Sequence, residues 1–515
     1  MKKYILIIIF ALFATISCFA QIPKQDITDT TEQEYYSKLA SLFAVDVQML
    51  GDTRENYDNY QSTRLREPFS NSRVLTLNGD PNVNTSINKI LVVVNSSIYN
   101  QLSNKIERYA YDINYLYGCE VIMEIVTGGD HTNIKNLIIT NQTNLDGVVF
   151  IGDIAAAWFE IVNDYYGYIT NPNGEGYAVW PCDLYYMDIN GTWSDTDGND
   201  IYDTHTGSVQ PEIFVGRIST ANMGTLLSEK ELLERYLDKD HKFWMGNTTV
   251  NKKFGLSYTD KDWASFNYFK TDIQYLYGNT NFDQVKYGDA EFGKTDYLNR
   301  LTNDRYEFIQ LACHTSSPLQ LSMTGGEIFS NEIFNNGTQA IGYNLFCCSG
   351  CNWTAFSLKP NRIFLGGAHI YNAGSSSLVV VGSTKTGSML QFNYFYTPLG
   401  QGKTIGEAFK QWWIYGAVYA SNFIVSWHYG MTIIGDPLVN FFHCMCVHKI
   451  TLNGFDTSNT DPIQHIIAKD KITANNYVIP PGKHVIFNAK EVELNSGFEC
   501  QLGGSFEIIN EGCCP

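Results

Sequence analysis

Basic residues are scarce in this sequence, and beyond its first twenty residues there is no long apolar run. The 35 Lys and Arg residues stand against 53 Asp and Glu, which gives a formal net charge of −18 at pH 7. Nucleic acids and anionic membrane surfaces attract clustered positive charge, so this deficit argues against both as partners. The missing apolar run argues against a transmembrane segment in the mature chain.

The first twenty residues combine a basic start with an apolar stretch. MKK is followed by YILIIIFALFATI and then by SCFAQ. The apolar stretch is too short to span a bilayer comfortably, so we predict that residues 1–20 are an export signal removed after Ala20. A lipoprotein signal with lipid on Cys18 is the alternative, for which Thr15 is a poor fit. In either case the mature protein is expected to be secreted or held at the cell surface.

The next segment, residues 21–85, is mostly polar. It contains one stretch with helical spacing, EYYSKLASLFAVDVQML. We interpret the segment as an N-terminal arm or a short inhibitory pro-segment, although no obvious basic cleavage site marks its end.

The rest of the chain divides into three parts by its hydrophobic pattern. Residues 86–245 and 246–446 both alternate apolar strands, such as KILVVVN, with amphipathic helices. Near-continuous apolar strands are typical of parallel sheets that are covered on both faces. Residues 447–515 alternate in period two and are punctuated by glycine, which predicts strands without helices. The expected fold class is α/β, with two tandem α/β subdomains, mainly parallel sheets and a small C-terminal all-β module.

Three cysteines lie within five positions in YNLFCCSGCNW, residues 343–353. The chain has 12 cysteines, and loss of Cys18 with the signal leaves 11, so at least one thiol is expected to lack a disulfide partner. Zinc is a rival use, because Cys348 and Cys351 have CxxC spacing and HCMCVH adds further metal-binding residue types. No second CxxC stands at a finger-like distance, however, and exported thiols tend to oxidise, so zinc is disfavoured.

Two predicted strands each have a reactive residue at the carboxyl end. YNLFCC runs into a turn at Gly350, and FIQLACH ends in His314. In open α/β sheets this edge is where sites form. Taken singly, a cysteine here would be a disulfide member and a histidine a capping residue. Together they have the arrangement of a thiol nucleophile with its base, which cleaves acyl bonds.

These blocks resemble the gingipain family of cysteine peptidases, which have a caspase-like fold. The likeness covers roughly residues 85–445, and it depends on the order along the chain of VFIGD, DLYYMDINGTW, FVGRI, VGSTKTGSM and WHYGMTIIGDPL. The resemblance implies a secreted endopeptidase that acts on proteins or peptides through a thioester acyl-enzyme. It implies no cofactor for catalysis.

In that family a small residue typically precedes the nucleophile. This pattern makes Cys348 the nucleophile, with Cys347 in the place of the small residue and Trp353 at the position of a family aromatic. The alternative is Cys347, which would place bulky Phe346 before the nucleophile but would match Gly350 to a family glycine.

The resemblance also implies residues that support the dyad. Thr315 stands where the family often has a glycine after the histidine, so the amides of Thr315 and Cys348 are the expected oxyanion donors. A carboxylate that orients the histidine is expected at Asp260, with Asp262 as the alternative. Members that cut after arginine carry an acid in the specificity pocket, for which Asp272 is the counterpart.

Oxygen ligands recur in DTDGNDIYD, residues 195–203. Such ligands on a glycine-bearing turn suit Ca²⁺. The segment lacks the final bidentate Glu of an EF-hand loop, and an Asp/Asn-rich turn without metal is the alternative. We predict a structural calcium site built from Asp195, Asp197, Asn199 and Asp203.

Three functions stay open at this point. The leading hypothesis is a secreted cysteine endopeptidase. The second is an inactive peptidase-like surface or adhesion protein, which would attach to the cell through the C-terminal module and whose Cys347 or Cys351 would form a disulfide. The third is a sortase-like transpeptidase that passes the acyl-enzyme to an amine. His428 and Arg217 are interpreted as structural, the second as a bridge within the first α/β unit.

Overall fold

The computed structural model covers both α/β units and most of the C-terminal module. The signal peptide and the helix predicted in EYYSKLASLFAVDVQML lie outside the described residues. Within the part that is described, no helix is long and apolar enough to cross a membrane. The structure describes residues 52–510 except 65–66, 81–85, 163–176, 222, 224–226, 246–247, 249–253, 305, 318, 356–362, 373, 418–423, 442–446 and 456–462.

Strands and helices alternate through the first α/β unit, as their hydrophobic patterns predict. The apolar strand KILVVVN is buried along all but its last residue. The strands are β1 Ser70–Leu77, β2 Lys89–Asn95, β3 Glu120–Thr127, β4 Gly147–Ile151, β5 Trp158–Val162, β6 Tyr177–Pro181, β7 Thr192–Ser194, β8 Thr204–Thr206 and β9 Phe214–Ile218. The helices are α1 Arg54–Thr63, α2 Ser96–Tyr117, α3 His131–Thr140, α4 Leu184–Met187 and α5 Glu229–Trp244.

The second α/β unit repeats the alternation with a small hairpin sheet inserted after its third strand. Two π-helical turns, Trp412–Gly416 and Ile424–His428, precede its last strand. The strands are β10 Gly255–Thr259, β11 Phe282–Lys286, β12 Phe308–Ala312, β13 His314–Ser317, β14 Gln320–Met323, β15 Gly326–Phe329, β16 Gly342–Phe346, β17 Val379–Ser383 and β18 Met431–Gly435. The helices are α6 Asn267–Thr271, α7 Gln274–Tyr277, α8 Lys294–Asn303, α9 Ser330–Asn336, α10 Leu365–Ile370, α11 Asn393–Gly400 and α12 Ile405–Gln411.

One eleven-stranded sheet runs through both units, in the order β1-β3-β2-β4-β9-β18-β17-β16-β12-β10-β11. The β1–β3 and β17–β18 pairs are antiparallel, and the other pairs of this sheet are parallel. The units join where β18, the last strand of this sheet along the chain, lies between β17 and β9, with Ile434 opposite Arg217. The predicted α/β class is confirmed, and the sheets of the two units are continuous.

The C-terminal module is a small parallel β-solenoid. Strand β20 pairs with β22, and β22 pairs with β25, each time at an offset of 21 residues. Side chains stack along the turns, since Asn475 donates to Asn453 at 3.0 Å and Asn495 donates to Asn475 at 2.8 Å. The all-β prediction is confirmed; the repeat was not recognised from the sequence. The strands are β19 Val447–Leu452, β20 Ile463–Ala474, β21 Val478–Ile479, β22 His484–Asn488, β23 Glu491–Leu494, β24 Glu499–Cys500 and β25 Ser505–Ile509.

Two carboxyl groups are buried together where the two units join. Asp436 directly follows β18, Asp240 lies in α5, and both are fully buried. The hydroxyl of Tyr109 donates to Asp436 at 2.7 Å, and the indole N–H of Trp244 donates to Asp240 at 3.1 Å. Burial and the adjacent Asp436 raise the pKa of Asp240 well above its ordinary value, and burial raises the pKa of Asp436 to about 6.

From this pair we predict that the free energy of unfolding falls as the pH rises from about 4 to about 6. In the folded protein both pKa values lie above the unfolded value of about 3.9. The stabilisation that the protonated pair contributes is therefore complete below that pH and is lost as the pH rises through the folded pKa values. Asp240→Asn should weaken this dependence, with the part that burial of Asp436 contributes remaining, and should raise the free energy of unfolding at pH 7. Urea denaturation across this pH range measures it, with the surface acid Asp238→Asn on the same helix as control. An unchanged pH slope in Asp240→Asn would refute the prediction.

Candidate active site

His314 and Cys348 occupy equivalent positions beyond two adjacent parallel strands. In the register of β12 and β16, Ala312 lies opposite Phe346, and each reactive residue stands two positions further on. The hydroxyl of Thr315 donates to the carbonyl oxygen of Cys348 at 2.5 Å, which ties the two segments together. The predicted strand ends therefore meet at one edge of the sheet.

Trp263 packs against both segments that carry the dyad residues. Phe346, two residues before Cys348, has its ring centroid 4.8 Å from that of Trp263. The ring of Trp263 lies 5.3 Å from that of His314. The end of the strand before Cys348 and the ring of His314 therefore both pack against Trp263.

Cys347 and Cys351 have different surroundings from Cys348. Both belong to the contiguous hydrophobic core, and Cys348 does not. A Cβ atom added to Gly350 would lie 2.7 Å from Sγ of Cys347, so that thiol fills the space beneath the turn. Burial, and then the neighbouring Cys347, raise the pKa of Cys351 well above its ordinary value, which disfavours a thiolate there.

The turn that carries Cys348 is clamped to the end of β17. The amide of Ser349 donates to the carbonyl oxygen of Lys385 at 2.8 Å, and the amide of Cys351 donates to that of Ser383 at 2.9 Å. Ser349 is buried and has a φ of +55°, which is unusual for a residue other than glycine. Strain of this kind persists where the surrounding contacts hold a segment firmly, and it concentrates at functional sites.

Arg217 supports this turn from the neighbouring unit. Its guanidinium is fully buried and binds both carboxylate oxygens of Asp183, with a shortest distance of 2.7 Å. The same group lies 4.4 Å from the ring centroid of Trp353, which follows the cysteine turn. The sequence suggested a bridge within the first unit, but Arg217 also contacts the turn of the second. The signal available in the sequence was only an arginine inside an apolar strand.

The carboxylate beside the histidine is Asp262. Its Oδ2 lies 2.9 Å from Nε2 of His314. Asp260, the preferred residue from the sequence, is buried and accepts hydrogen bonds from the amides of Lys261 at 2.6 Å and Thr324 at 2.8 Å. Asp260 is therefore bonded within the loop after β10 and to Thr324, and Asp262, the alternative from the sequence, is the acid that contacts His314.

We expect Asp262→Asn to lower kcat by about tenfold or more while leaving KM nearly unchanged. The carboxylate fixes the ring and stabilises the imidazolium, which forms only during the reaction. Asp262 is partly exposed, so its effect should be smaller than that of a fully buried acid. The pH profile of kcat distinguishes this role from a structural one. Asp283→Asn is the control, and an equal loss of kcat in that folded variant would contradict the prediction.

The remaining residues that the sequence singled out are Thr315, Asp272 and His428. Thr315 is buried and stands opposite Leu321 in the hairpin sheet, and its oxyanion role stays a prediction. Asp272 follows α6, and burial raises its pKa to about 7. His428 is buried, and burial lowers its pKa to about 3. Its ring lies 5.0 Å from that of Trp412, edge to face, as a packed structural histidine would.

The predicted calcium segment forms an acidic cluster with a different membership. Carboxylate oxygens of Glu160, Asp197 and Asp203 lie within 4.8 Å of one another. The amide nitrogen of Asn199 donates to Glu160 at 2.8 Å and to Asp197 at 3.1 Å. Asp195 instead accepts hydrogen bonds from backbone amides of the following turn. Glu160 lies on β5, outside the acidic segment, and nothing in the sequence pattern indicated that it joins this cluster.

Comparisons with known proteins agree with the sequence resemblance. A model of peptidase family C25 matches residues 84–442, more than half of the chain. No curated protein sequence matches. Among solved structures, one described as a protease shares 14% identity and covers 69% of this chain and 79% of its own, with a TM-score of 0.46. The Arg-specific cysteine proteinase gingipain R shares 13% identity over 73% of this chain and 84% of its own, with a TM-score of 0.45. The family model alone is sufficient for assignment, and the chain belongs to peptidase family C25, the gingipain family of cysteine peptidases.

Proposed function

We propose that this protein is a secreted or surface-held cysteine endopeptidase in which Cys348 is the nucleophile and His314 the base. The observation that carries the proposal is the equivalent position of the two residues on adjacent parallel strands, joined by the Thr315–Cys348 hydrogen bond. The carboxylate of Asp262 at Nε2 of His314 supports it, because it leaves Nδ1 as the ring atom that would exchange a proton with the thiol.

The chemistry follows from these positions. His314 takes the proton of the Cys348 thiol, and the sulfur attacks the carbonyl carbon of the scissile bond. The amides of Thr315 and Cys348 hold the oxyanion that forms. His314 returns the proton to the leaving amine as the C–N bond breaks, which leaves a thioester. Water, deprotonated by the same histidine, hydrolyses the thioester and restores the thiol.

Asp272 is the proposed acid of the specificity pocket. It follows α6, whose Phe269 has its ring centroid 4.5 Å from that of Phe346 and 5.3 Å from that of Trp263, the ring that packs against His314. A carboxyl group with a pKa of about 7 is about half protonated near neutral pH. Its attraction for an arginine side chain would therefore be weak until a bound cation lowered that pKa.

Peptide cleavage in water enriched in heavy oxygen tests the proposed activity. Hydrolysis places heavy oxygen in the new carboxyl terminus, and mass spectrometry detects it. An added amine that becomes joined to the fragment instead would identify a transpeptidase. Failure to cleave any peptide library, together with no labelling of Cys348 by peptidyl acyloxymethyl ketones, would favour an inactive surface protein that uses the C-terminal module for attachment.

We also propose that Glu160, Asp197 and Asp203 hold a structural calcium ion. The donor set fits, because it offers carboxylate oxygens that converge, one of them from a buried residue. Asn199 and Tyr177 donate hydrogen bonds to Glu160 and would fix its orientation.

Calcium is therefore expected to raise the unfolding temperature of the protein, and magnesium is not. At roughly 100 times the dissociation constant the stabilisation would be about 2.7 kcal/mol. Glu160→Gln should abolish the calcium effect, and Asp195→Asn should retain part of it because its carboxylate is bound to backbone amides. Thermal unfolding with and without each cation makes the comparison. Equal calcium stabilisation of wild type and Glu160→Gln would refute this site.

A further inference from the structure

A cleft lies at the carboxyl ends of three adjacent strands of the first α/β unit. Its volume is about 370 Å³, which is within the range of small-molecule sites in proteins. Residues at and after the ends of β2, β3 and β4 line it, together with Thr63, Arg64 and Glu67 from the N-terminal segment. The described residues that line it include neither member of the proposed dyad, and neither Asp262 nor Asp272. The cleft is therefore separate from the proposed active site.

The order of the strands explains why a cleft forms at this place. The sheet runs β3-β2-β4-β9, so β2 lies between the two strands that follow it along the chain. The chain leaves β2 towards β3 and leaves β4 towards β9, in opposite directions. In doubly wound sheets, ligands bind in the crevice that opens where the connections of neighbouring strands diverge in this way. The cleft is lined by the ends of β2 and β4 and occupies this crevice.

The charged groups around the cleft are one guanidinium and two carboxylates. Nη1 of Arg64 donates to Oδ1 of Asp153 at 2.7 Å, so this cation is already compensated. The side chain of Asp153 is 42% exposed, and Glu67 is exposed and forms no ion pair with a described residue. The lining therefore keeps a net negative charge that a ligand from solution can reach.

An anion would find few partners in this cleft. A free helix N-terminus attracts anions through its backbone amides, but the starts of α2 and α3 both have side-chain caps. The amide of Ser97 donates to the side chain of Asn95 at 2.9 Å, and the amide of Asn133 donates to that of Asp130 at 2.9 Å. The carboxylates of the lining would also repel a negative charge. A metal ion is disfavoured too, because in the described part of the chain three metal-binding groups converge at the Glu160 cluster and not here.

The wall of the cleft already holds one organic cation. The guanidinium carbon of Arg64 lies 5.0 Å from the ring centroid of Tyr60, while its Nη1 is bonded to Asp153. The hydroxyl of Tyr60 accepts a hydrogen bond from the amide of Ala156 at 3.1 Å, which holds the ring in place. A carboxylate and an aromatic face are both favourable partners of a guanidinium. Arg64 uses one oxygen of Asp153, and Oδ2 accepts no hydrogen bond from a described residue, so this oxygen and Glu67 remain as acceptors.

We propose that this cleft binds an organic cation from solution, with the carboxylates of Asp153 and Glu67 as its acceptors. The ligand is the guanidinium or ammonium group of a basic peptide side chain or of a small free amine, since both sources present the same charged donors. Ile154 and Ala155 in the lining offer an apolar surface to the aliphatic stem of such a group. The proposal does not depend on peptidase activity, because no proposed catalytic residue lines the cleft.

Isothermal titration calorimetry of the full chain carrying Cys348→Ala, in which the proposed nucleophile is absent, tests this site. The probes are a blocked tripeptide with a central arginine, the same peptide with neutral citrulline, and arginine amide. The arginine peptide should bind at least about tenfold more tightly than the citrulline peptide. Glu67→Gln and Asp153→Asn should each reduce this preference by about threefold. Asp58→Asn, an exposed acid on α1 outside the lining, is the control and should leave it unchanged.

Equal binding of the arginine and citrulline peptides, or no binding of either cationic probe, would overturn the proposal. A preference that survives both cleft variants and disappears in Asp272→Asn would place the cation in the proposed specificity pocket, and it would overturn the proposal as well. With the preference lost in the cleft variants, equal binding of arginine amide would support the site with a free amine as ligand, and tighter binding of the peptide would support it with a peptide side chain. Asp153→Asn also removes the partner of Arg64, so Glu67→Gln keeps the test decisive where that variant does not fold.

Discussion

Replacing Cys348 with alanine is expected to lower kcat/KM for peptide substrates by at least about 10⁴-fold. In the proposed mechanism the sulfur of Cys348 is the atom that forms the thioester, and an alanine methyl group cannot replace it. Labelling by an acyloxymethyl ketone should disappear in the same variant. Mass-spectrometric mapping of the adduct, together with steady-state kinetics, measures both effects on one preparation.

Cys347→Ala is the matched control for that experiment. The side chain of Cys347 packs beneath the turn in the hydrophobic core, so its loss should cost about 1 kcal/mol of stability and leave most of the activity. Adduct on Cys347 in the wild-type protein, or loss of activity only in Cys347→Ala, would reverse the assignment. The turn around Gly350 would then have to direct the Cys347 thiol toward His314.

The strand pattern could be predicted from the sequence because it depends on local alternation and burial. Apolar runs gave the parallel strands, and their order delivered His314 and Cys348 to one edge. The direction of each thiol could not be predicted, because it depends on how Gly350 and the end of β17 shape the turn. Residue type alone does not distinguish the three cysteines of this segment, although two of them belong to the hydrophobic core and one does not.

Contacts between segments that are far apart in the chain could not be predicted from the sequence. Asp260 and Asp262 are equivalent in the sequence, and only the loop after β10 decides which of them meets His314. Glu160 joins the acidic cluster from strand β5, far from the Asp-rich turn. The 21-residue offset of the solenoid has no clear sequence signal, because its turns share a spacing and an asparagine rather than a longer motif.

Asp183→Asn should lower the free energy of unfolding by about 3–5 kcal/mol, the largest stability effect expected from a single substitution here. Asp183 and Arg217 are each only 1% exposed at the side chain. Their pair is supported by the carbonyl oxygen of Ile154 and by the hydroxyl of Thr432. Removing the negative charge leaves a fully buried guanidinium without its counter-ion, and water cannot reach it.

The double variant Asp183→Leu with Arg217→Met separates charge from packing. Removing both charges should recover most of the lost stability, because a buried ion pair contributes little net free energy over an apolar pair of similar volume. Urea denaturation of the three proteins forms the comparison. A single variant that loses less than about 1 kcal/mol would show that water or another group compensates Arg217.

The same variants connect stability to catalysis through Trp353. The guanidinium stacks on this ring 4.4 Å from its centroid, and Trp353 follows the turn that carries Cys348. The stable double variant should therefore still lose kcat, with KM little changed, since its methionine cannot present a planar cation to the indole. Restored stability with fully restored kcat would mean that the clamp of Ser349 and Cys351 on β17 positions the nucleophile without Arg217.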